Sequence, residues 1–430
     1  MGQRVVLTIE RLVAGGLGLS RYEGRIVFLP GVLPGEEVEV AILASRSDYL
    51  RAKPVYILKP HAERRTPPCP LFLVCGGCQL MHAAYPIQPD LKLKAGLERL
   101  AGVFKREIII KPSPFSLFYR DRVRLHLARV GDRLALGFFA AGSKRLVPID
   151  FCHQLHPRLN LLLPALTEWM TGLAGRNDSS LGLSVQMGTP AEGVLAVMEF
   201  GARPVAGTIK AALAGPETGE QVKVFLKING QVRPKPRPED AVTVLSLSDR
   251  GLRLSALPGA FTQVNPAVNR LLVMDVLNLA QEMKPKRALD LYAGIGNFTL
   301  PLAVAADNVC AVEVEPAALA SARLNIRQGG LDQVTLLRAE AVAAAEGLAD
   351  HGERFELVVL DPPRAGAKGL ATQVARLKAV QVLYISCHPA AMTRDLAEFQ
   401  SLGYYPSEIT AYDMFPQTAH LEVLAHLIRC

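Results

Sequence analysis

The C-terminal part of the chain, from about residue 256, has the alternation of elements that most restricts the possible fold. Five short apolar runs alternate there with segments that have the periodicity of amphipathic helices. A strand that is covered by helices on both faces is apolar throughout, so these runs predict a parallel sheet. The sequence therefore predicts a doubly wound, Rossmann-like α/β domain. The five predicted strands are RALDLYAG, NVCAVEVE, VTLLRAE, FELVVLDPP and VLYISC.

The chain of 430 residues is too long for a single hydrophobic core, so we expect a multidomain protein. Residues 1–58 contain short apolar runs separated by glycine-rich turns, which predicts a small β-barrel of the oligonucleotide-binding (OB) type. Residues 59–255 mix strands with helices, which predicts a central α+β domain that also contains a group of cysteines. Residues 256–430 form the predicted α/β domain.

The positive charge is concentrated in the first third of the chain. Residues 1–150 contain 23 Lys and Arg against 13 Asp and Glu, whereas residues 151–430 contain 25 against 27. A basic region of this kind favours a polyanionic partner, most often nucleic acid, although a solvated basic face is the simpler alternative. The sequence has neither a long uncharged apolar run nor a secretion signal, so we expect a cytoplasmic protein without a membrane partner.

A candidate cofactor site follows the first predicted strand of the α/β domain, in the glycine-rich ALDLYAGIGNFTLPLA. The next strand ends at Glu313, where a carboxylate can accept hydrogen bonds from both hydroxyls of a ribose. The turn is not GxGxxG and has no basic residue placed for a pyrophosphate, which favours a nucleoside without phosphates, such as S-adenosylmethionine. A structural turn beside a surface Glu is the alternative. Asp361, before two prolines in LDPPRAG, ends the fourth strand on the same sheet edge.

Cys387 ends the fifth predicted strand, directly before a helix that Pro389 begins. The partial positive charge of a helix N-terminus is expected to lower the pKa of this thiol. A buried structural cysteine is the alternative. Next to a methyl donor, however, a thiolate can add to carbon 6 of uracil and thereby activate carbon 5 for methylation.

That reaction also needs a base that removes the proton from carbon 5. Glu422 lies inside an apolar run in QTAHLEVLAHLI, where burial would raise the pKa of its carboxyl group. We therefore predict that Glu422 is the base. A carboxylate on the polar face of an edge strand is the alternative interpretation.

A second group of cysteines lies between residues 69 and 152. Cys69, Cys75 and Cys78 have the spacing C-x5-C-x2-C, which fits neither a zinc ribbon nor the C-x3-C-x2-C of radical enzymes. Cys152 is the best candidate for a fourth ligand. Zinc and an iron–sulfur cluster are both compatible with these residues. Three histidines leave a mixed site open, namely His82, His153 and His156.

Five motifs occur in the C-terminal half of the chain: FTQVN, LDLYAGIGNFTL, LDPPRAG, YISCHPA and QTAHLE. With these motifs in this order, the chain resembles the RNA uracil-C5 methyltransferases over essentially its full length. The resemblance is strongest to the iron–sulfur branch that modifies bacterial 23S ribosomal RNA. It implies a TRAM domain at the N-terminus and a monomer without an obligate protein partner.

The resemblance also implies roles for individual residues. Cys387 would be the nucleophile and Glu422 the general base. The residues that bind S-adenosylmethionine would be Gln263, Tyr292, Glu313 and Asp361, with Asn297 and Glu340 as neighbours. A [4Fe–4S] cluster would be held by Cys69, Cys75, Cys78 and Cys152. The chain departs from the family at His388, where the family usually has Asn.

The expected function is transfer of a methyl group from S-adenosylmethionine to carbon 5 of a uridine in structured RNA. We expect 23S ribosomal RNA as the substrate, with transfer RNA as the alternative. The target base would be flipped out of its stack to reach Cys387. Two other functions have different requirements: an RNA methylase of exocyclic amines would not need Cys387, and an RNA-binding or assembly factor would not need S-adenosylmethionine.

Overall fold

A computed structural model describes residues 3–97, 100, 102–173, 181–189, 191–200, 206–247 and 251–430 of the chain. In these residues the strands form sheets of six, seven, two and eight strands. The six-stranded sheet lies in the N-terminal segment, the seven-stranded sheet in the central segment and the eight-stranded sheet mainly in the C-terminal segment. Each of these three sheets packs against its own apolar core.

The N-terminal segment forms a strongly curved sheet. Its strands are β1 (Arg4–Thr8), β2 (Arg11–Val13), β3 (Leu17–Tyr22), β4 (Arg25–Leu29), β5 (Glu37–Ser45) and β6 (Tyr49–Lys59). They lie in the order β1-β5-β6-β4-β3-β2, and every pair is antiparallel except β4 with β6. Irregular register between β5 and β6 bends the sheet around a core that includes Val27, Leu29, Val38 and Val40. A small β domain is thus present, while closure into an OB-type barrel stays a prediction.

The central segment begins with α1 (Gln88–Leu97) and the short strand β7 (Ile109–Lys111) and then forms a mixed sheet with two helices. The sheet strands are β8 (Arg122–Val130), β9 (Arg133–Phe139), β10 (Leu146–Pro148), β11 (Leu181–Met187), β12 (Val194–Phe200), β13 (Val222–Ile228) and β14 (Gln231–Arg233). Their order is β10-β9-β8-β11-β12-β13-β14. The helices are α2 (Pro157–Leu173) and α3 (Ala206–Ala214), and a hairpin of β15 (Val242–Leu247) and β16 (Leu252–Ala256) follows.

The C-terminal sheet confirms the five predicted parallel strands. They are β17 (Arg287–Leu291), β18 (Asn308–Glu313), β19 (Val334–Arg338), β20 (Leu357–Leu360) and β21 (Gln381–Ser386). Two further strands, β22 (Tyr404–Tyr412) and β23 (Glu422–Arg429), form an antiparallel hairpin, and β23 pairs with β21. The complete order is β19-β18-β17-β20-β21-β23-β22-β7, which is a doubly wound arrangement extended by an antiparallel end.

Helices cover both faces of this sheet, as the apolar character of its strands requires. They are α4 (Pro266–Met283), α5 (Thr299–Ala305), α6 (Pro316–Gln328), α7 (Ala341–Asp350), α8 (Leu370–Arg376) and α9 (Pro389–Ser401). Leu289 and Leu291 of β17 belong to the core on one face, while Ala288 belongs to the core on the other. Each strand therefore buries successive side chains on opposite faces. Of the helices described, none is long and apolar enough to cross a membrane.

The central segment is joined to the C-terminal sheet by main-chain and side-chain contacts. Strand β7 pairs in parallel with β22 and completes the edge of the sheet. Lys92 of α1 is fully buried, and its Nζ lies 2.5 Å from Oδ1 of Asp413, which follows β22. The same ammonium group donates to the carbonyl of Phe415 at 2.8 Å. Burial on its own would lower the pKa of Lys92, and the carboxylate of Asp413 opposes this effect.

The Lys92–Asp413 pair should be essential to stability as a pair. We expect Lys92→Met to lower the free energy of unfolding by about 3 kcal/mol, because it leaves the buried carboxylate of Asp413 without its partner. The double variant Lys92→Met/Asp413→Asn should regain part of that loss. Denaturant unfolding of the three proteins measures both effects, and an equal loss in the single and double variants would contradict this account.

Candidate active site

The carboxyl ends of the parallel strands bring four of the predicted residues to one edge of the sheet. Leu291 of β17 is in register with Val312 of β18 and with Leu360 of β20. The residues that follow these positions are Tyr292, Glu313 and Asp361, so they lie side by side at that edge. Cys387 follows β21, the neighbour of β20, at the same edge. Ligands of open α/β sheets bind in this place.

The glycine-rich turn after β17 has a backbone that only small residues adopt easily. Gly294 and Gly296 have φ of +58° and +98°, and a Cβ atom on Gly296 would lie 2.8 Å from Cδ1 of Leu300. Tyr292 also has a positive φ, of +66°. A non-glycine residue in this region is uncommon and is held there by its surroundings. The turn thus approaches the sheet edge closely and leads into α5.

Glu313 is fixed by three backbone N–H groups. Gly294 donates to its Oε2 at 2.8 Å, while Val314 and Glu315 donate to its Oε1 at 2.8 and 2.7 Å. These bonds orient the carboxylate at the end of β18, beside the glycine-rich turn. The predicted position of Glu313 as a ribose-binding carboxylate is therefore compatible with the geometry of the turn.

Asp290 is a completely buried carboxyl group beneath the glycine-rich turn. Its Oδ2 accepts a hydrogen bond of 2.5 Å from the hydroxyl of Thr299, the first residue of α5. Burial is the main cause that raises the pKa of Asp290 to about 7; the hydrogen bond from Thr299 opposes this shift, and the charges of Asp361 and Glu313 add to it. Burial likewise raises the pKa of Asp361 to about 7. Several carboxyl groups thus face one another here, which is an environment suited to a cationic ligand.

Three other predicted residues are Asn297, Glu340 and Gln263. Asn297 forms two amide hydrogen bonds with Asn269 of α4, of 2.8 and 3.1 Å. Glu340 occupies the N-cap position of α7, and its charge acts on Tyr292, whose pKa is raised mainly by burial and secondarily by Glu340. Gln263 lies in the segment between β16 and α4. The two asparagines attach the start of α4 to the glycine-rich turn.

Cys387 and Glu422 face each other on neighbouring strands. Ser386 of β21 is paired with Val423 of β23 in an antiparallel register. Continuing this antiparallel register by one residue places Cys387 opposite Glu422. Only 3% of Glu422 is exposed, so it is not a surface carboxylate on an edge strand. As predicted, burial raises its pKa well above the usual value, and the charge of Asp361 adds to this effect.

The predicted lowering of the pKa of Cys387 is wrong. The pKa of the thiol is raised to about 11, mainly by burial, with smaller contributions from Glu422 and then Asp361. Arg364 of the LDPPRAG motif lowers it. The helix N-terminus is present as predicted, with Pro389 at the start of α9. Burial among carboxyl groups outweighs it, so the thiol is protonated before ligands bind.

His388 has a defined structural role at the start of α9. It is the N-cap residue, and its Nδ1 accepts a hydrogen bond of 3.2 Å from the N–H of Ala391. Its own N–H donates to the hydroxyl of Ser386 at 3.1 Å. Asn is among the residues that cap helices best, and the imidazole makes the corresponding bond here. The helix that follows Cys387 is therefore capped despite the departure from the family pattern.

A buried carboxylate that the sequence did not predict holds the LDPPRAG loop. Asp395 of α9 accepts hydrogen bonds from the N–H of Ala367 at 2.7 Å and from the hydroxyl of Tyr384 at 2.6 Å. Arg394 donates to it through Nε at 2.8 Å. Gly366 has φ of +85°, and a Cβ atom there would collide with the carboxylate of Asp395. The only signal in the sequence is an Asp on the apolar face of the predicted helix.

The four predicted cysteine ligands line one cavity of about 350 Å³. Cys69, Cys75 and Cys78 reach it from one loop and Cys152 from another, and Nε2 of Gln154 lies 2.8 Å from Sγ of Cys78. Burial raises the pKa of Cys78 to about 12, with a further contribution from Cys152. Within the described residues, no three His, Cys, Asp or Glu side chains are grouped closely enough to hold a single metal ion.

Two family models match the chain. One, described as tRNA (Uracil-5-)-methyltransferase, matches residues 237–430, and one described as TRAM domain matches residues 1–55. The 23S rRNA (uracil(1939)-C(5))-methyltransferase RlmD of Salmonella choleraesuis is 35% identical over 429 residues, which cover 98% of this chain and 95% of the relative. The protein of the same name from Shewanella amazonensis is 34% identical over 440 residues, covering 99% and 96%.

A solved structure has the same overall fold. The Pyrococcus abyssi tRNA (uracil-54, C5)-methyltransferase in complex with S-adenosyl-L-homocysteine is 22% identical, with a TM-score of 0.74, and the match covers 98% of this chain and 100% of the other. Fold and site define an α/β methyltransferase with an N-terminal TRAM domain. Together with the identity of 35% over nearly the whole chain, these features establish that the chain belongs to the RNA uracil-C5 methyltransferase family.

The raised pKa of Asp290 makes stability depend on pH. Because the folded protein binds this proton more tightly than the unfolded chain, the stabilisation is complete below about pH 4 and is lost as the pH rises to about 7. Asp290→Asn removes the charge but keeps an oxygen for Thr299. We expect it to raise the free energy of unfolding by roughly 2 to 4 kcal/mol at pH 8 and by less at pH 5. Denaturant unfolding at both pH values measures this, and equal effects would contradict it.

Proposed function

We propose that this protein transfers a methyl group from S-adenosylmethionine to carbon 5 of a uridine in 23S ribosomal RNA, through a covalent bond between Cys387 and carbon 6. The observation that carries this proposal is the position of Cys387 opposite Glu422, at the sheet edge that also contains Asp361. A thiol paired with a buried carboxyl group is what carbon-5 methylation requires.

The methyl donor would lie along the glycine-rich turn. Glu313 would accept hydrogen bonds from the ribose hydroxyls, and Tyr292 would pack beside the adenosine. Asp361 would lie near the positively charged part of the donor, with Gln263 as a further contact. The group of buried carboxyl groups supports this arrangement, because a cation placed among them would favour their ionised forms.

The reaction would proceed in three steps. The thiolate of Cys387 adds to carbon 6 of the uracil, and the resulting enolate attacks the methyl group through carbon 5, which releases S-adenosylhomocysteine. Glu422 then takes the proton from carbon 5. The electrons of that C–H bond form the double bond between carbons 5 and 6, and the thiolate leaves.

The raised pKa values of Cys387 and Glu422 affect how the site would be activated. Burial raises the pKa of both Cys387 and Glu422 in the protein without ligands, yet the mechanism uses their ionised forms. A sulfonium cation bound beside Asp361 would lower the pKa of each group. Arg364, whose charge already lowers the pKa of Cys387, would act in the same direction. The donor would thus prepare the nucleophile before addition.

RNA with 5-fluorouracil at the target position tests the covalent mechanism. Fluorine replaces the proton that the base removes, so the reaction should stop at a stable adduct between protein and RNA. We expect this adduct on a denaturing gel with the unchanged protein and its absence with Cys387→Ala. Formation of the adduct by Cys387→Ala, or no adduct with the unchanged protein, would disprove the mechanism.

The base can be tested separately. Glu422→Gln keeps the shape of the side chain but cannot accept the proton from carbon 5. We expect this variant to form the thioether with ordinary uracil RNA and to accumulate it, with turnover reduced by about 10²-fold or more. Turnover at the rate of the unchanged protein would rule out Glu422 as the base. Binding of S-adenosylhomocysteine serves as the control for correct folding.

The basic segment of residues 1–150 and the TRAM domain would bind the RNA backbone while the target base is flipped out. We favour 23S ribosomal RNA because the relatives at 34–35% identity over nearly the full chain are 23S rRNA methyltransferases. Transfer RNA is the alternative, since the matching family model is described by that substrate. Mapping of methylated uridines in total RNA from a deletion strain distinguishes the two.

The cysteine cavity would hold a [4Fe–4S] cluster on Cys69, Cys75, Cys78 and Cys152. This proposal is supported by the position of the four thiols around one cavity, since cysteine thiolates are the usual ligands of such a cluster. Burial raises the pKa values of Cys78 and Cys152. Binding of iron to these thiols would therefore displace their protons. Anaerobically purified protein should contain iron and acid-labile sulfide in equal amounts, whereas stoichiometric zinc would contradict this proposal.

A further inference from the structure

The turn that precedes Glu422 is held by residues from a distant part of the sequence. This turn, residues 413–421, joins β22 to β23. Its central residue, Gln417, is completely buried and has a φ of +67°. A glutamine keeps this conformation only where its surroundings impose it. The contacts of Gln417 therefore show what determines the position of the turn.

Every polar atom of Gln417 has a partner, and all of these partners lie between residues 65 and 116. Its N–H donates to Oε1 of Gln88 at 2.9 Å, and its carbonyl accepts from the N–H groups of Gln79 and Leu80 at 3.0 and 2.9 Å. Its side-chain Oε1 accepts from Arg65 and from Gln88, both at 2.9 Å, and its Nε2 donates to the carbonyl of Ser116 at 3.0 Å.

The neighbours of Gln417 in the turn are held in the same way. The carbonyl of Pro416 accepts from the hydroxyl of Tyr119 at 3.1 Å, and the N–H of Ala419 donates to Oε1 of Gln79 at 3.2 Å. As described above, Lys92 donates to the carbonyl of Phe415. The turn is thus hydrogen-bonded to the central segment at Phe415, Pro416, Gln417 and Ala419. The strands of the C-terminal sheet adjoin the turn only at its two ends.

Gln79 connects the turn with the cysteine-containing loop. It directly follows Cys78, and its Nε2 donates to the carbonyl of Gly76 at 2.9 Å. Gln154, whose side chain contacts Sγ of Cys78, also reaches the carbonyl of Pro416 at 3.5 Å. A displacement of the cysteine loop would therefore be transmitted to the turn through Gln79 and Gln154.

We propose that Gln417 is a positioning residue that fixes the carboxyl group of Glu422 by attaching the preceding turn to residues 65–116 of the central segment, among them Gln79 and Leu80 beside the cysteine-containing loop. Glu422 is the first residue of β23, so it follows the turn directly. Cys387, in contrast, follows β21 and is flanked by Ser386 and the capped helix α9. Loss of the attachment would displace the base relative to carbon 5 and leave the nucleophile in place. This inference rests on the proposed role of Glu422 as the base.

Two variants test the inference. Gln417→Asn shortens the side chain that bonds Arg65, Gln88 and Ser116 but keeps a residue type that tolerates a positive φ. Gln79→Ala removes the acceptor of the Ala419 N–H and leaves Gln417 intact. Gln333→Ala is the matched control, since Gln333 is a half-buried glutamine that bonds the carbonyl of Ala303 away from the site. Binding of S-adenosylhomocysteine verifies that each protein is folded, and Gln79→Ala decides the test if Gln417→Asn does not fold.

The two chemical steps are measured separately. The rate of adduct formation is taken from 5-fluorouracil RNA, and the rate of adduct resolution from single-turnover methylation of ordinary RNA. We expect both variants to resolve the adduct about 10- to 100-fold more slowly, because a displacement of about 1 Å has an effect of this size. Adduct formation and S-adenosylhomocysteine binding should stay as in the unchanged protein, and Gln333→Ala should alter neither step.

The outcomes separate this inference from the proposed function. Glu422→Gln is the reference and should accumulate the adduct. If it does, but the Gln417 and Gln79 variants resolve the adduct at the normal rate or lose both steps equally, the positioning role is overturned and the mechanism stands. If Glu422→Gln does not accumulate the adduct, the assignment of the base fails, and the positioning role fails with it.

Discussion

The structure depends most on an electrostatic constraint at one sheet edge, where buried carboxyl groups and a thiol lie together. Asp290, Asp361 and Glu422 all have raised pKa values, and burial is the main cause in each case. Arg364 is a cation whose charge lowers the pKa of Cys387. Burial disfavours the ionised forms of such groups, and a nearby positive charge favours them. The site is thus built to be completed by a cationic ligand.

The surrounding fold supplies the rigidity that this arrangement needs. Glu313 is held by three N–H groups, and the LDPPRAG loop is held by Asp395. The turn before Glu422 is held by six hydrogen bonds to Gln417. Each of the three groups that surround the proposed reaction is therefore fixed by bonds from a different part of the chain.

The sequence was most informative where the physical signal is local. Continuous apolar runs predicted strands β17 to β21, and the position of Cys387 and Asp361 at strand ends predicted that they would share an edge. Burial of Glu422 followed from its apolar neighbours. These inferences succeed because strand burial and strand ends are visible in short windows of sequence. The resemblance to a known family added the roles of individual residues, which a short window of sequence does not reveal.

Other features depend on contacts between distant segments, and the sequence could not predict them. Nothing around Gln417 indicates that its partners lie some 300 residues earlier, and Lys92 resembles any lysine of an amphipathic helix. The pKa of Cys387 was predicted in the wrong direction for the same reason. The helix N-terminus is a local feature, whereas the burial that mainly raises this pKa, and the carboxyl group of Glu422 that adds to it, depend on other segments of the fold. Burial therefore outweighed a correct local inference.

The small strand β7 has a consequence for how such enzymes can evolve. The family model spans only residues 237–430, yet β7, at Ile109–Lys111, pairs with β22 and closes the sheet of that region. A gene fragment encoding the catalytic region alone would leave Thr410, Ala411 and Tyr412 of β22 without their partner strand β7, and an unpaired edge is prone to pair with other chains. Transfer of the catalytic region into a new protein would therefore favour a substitute for this strand.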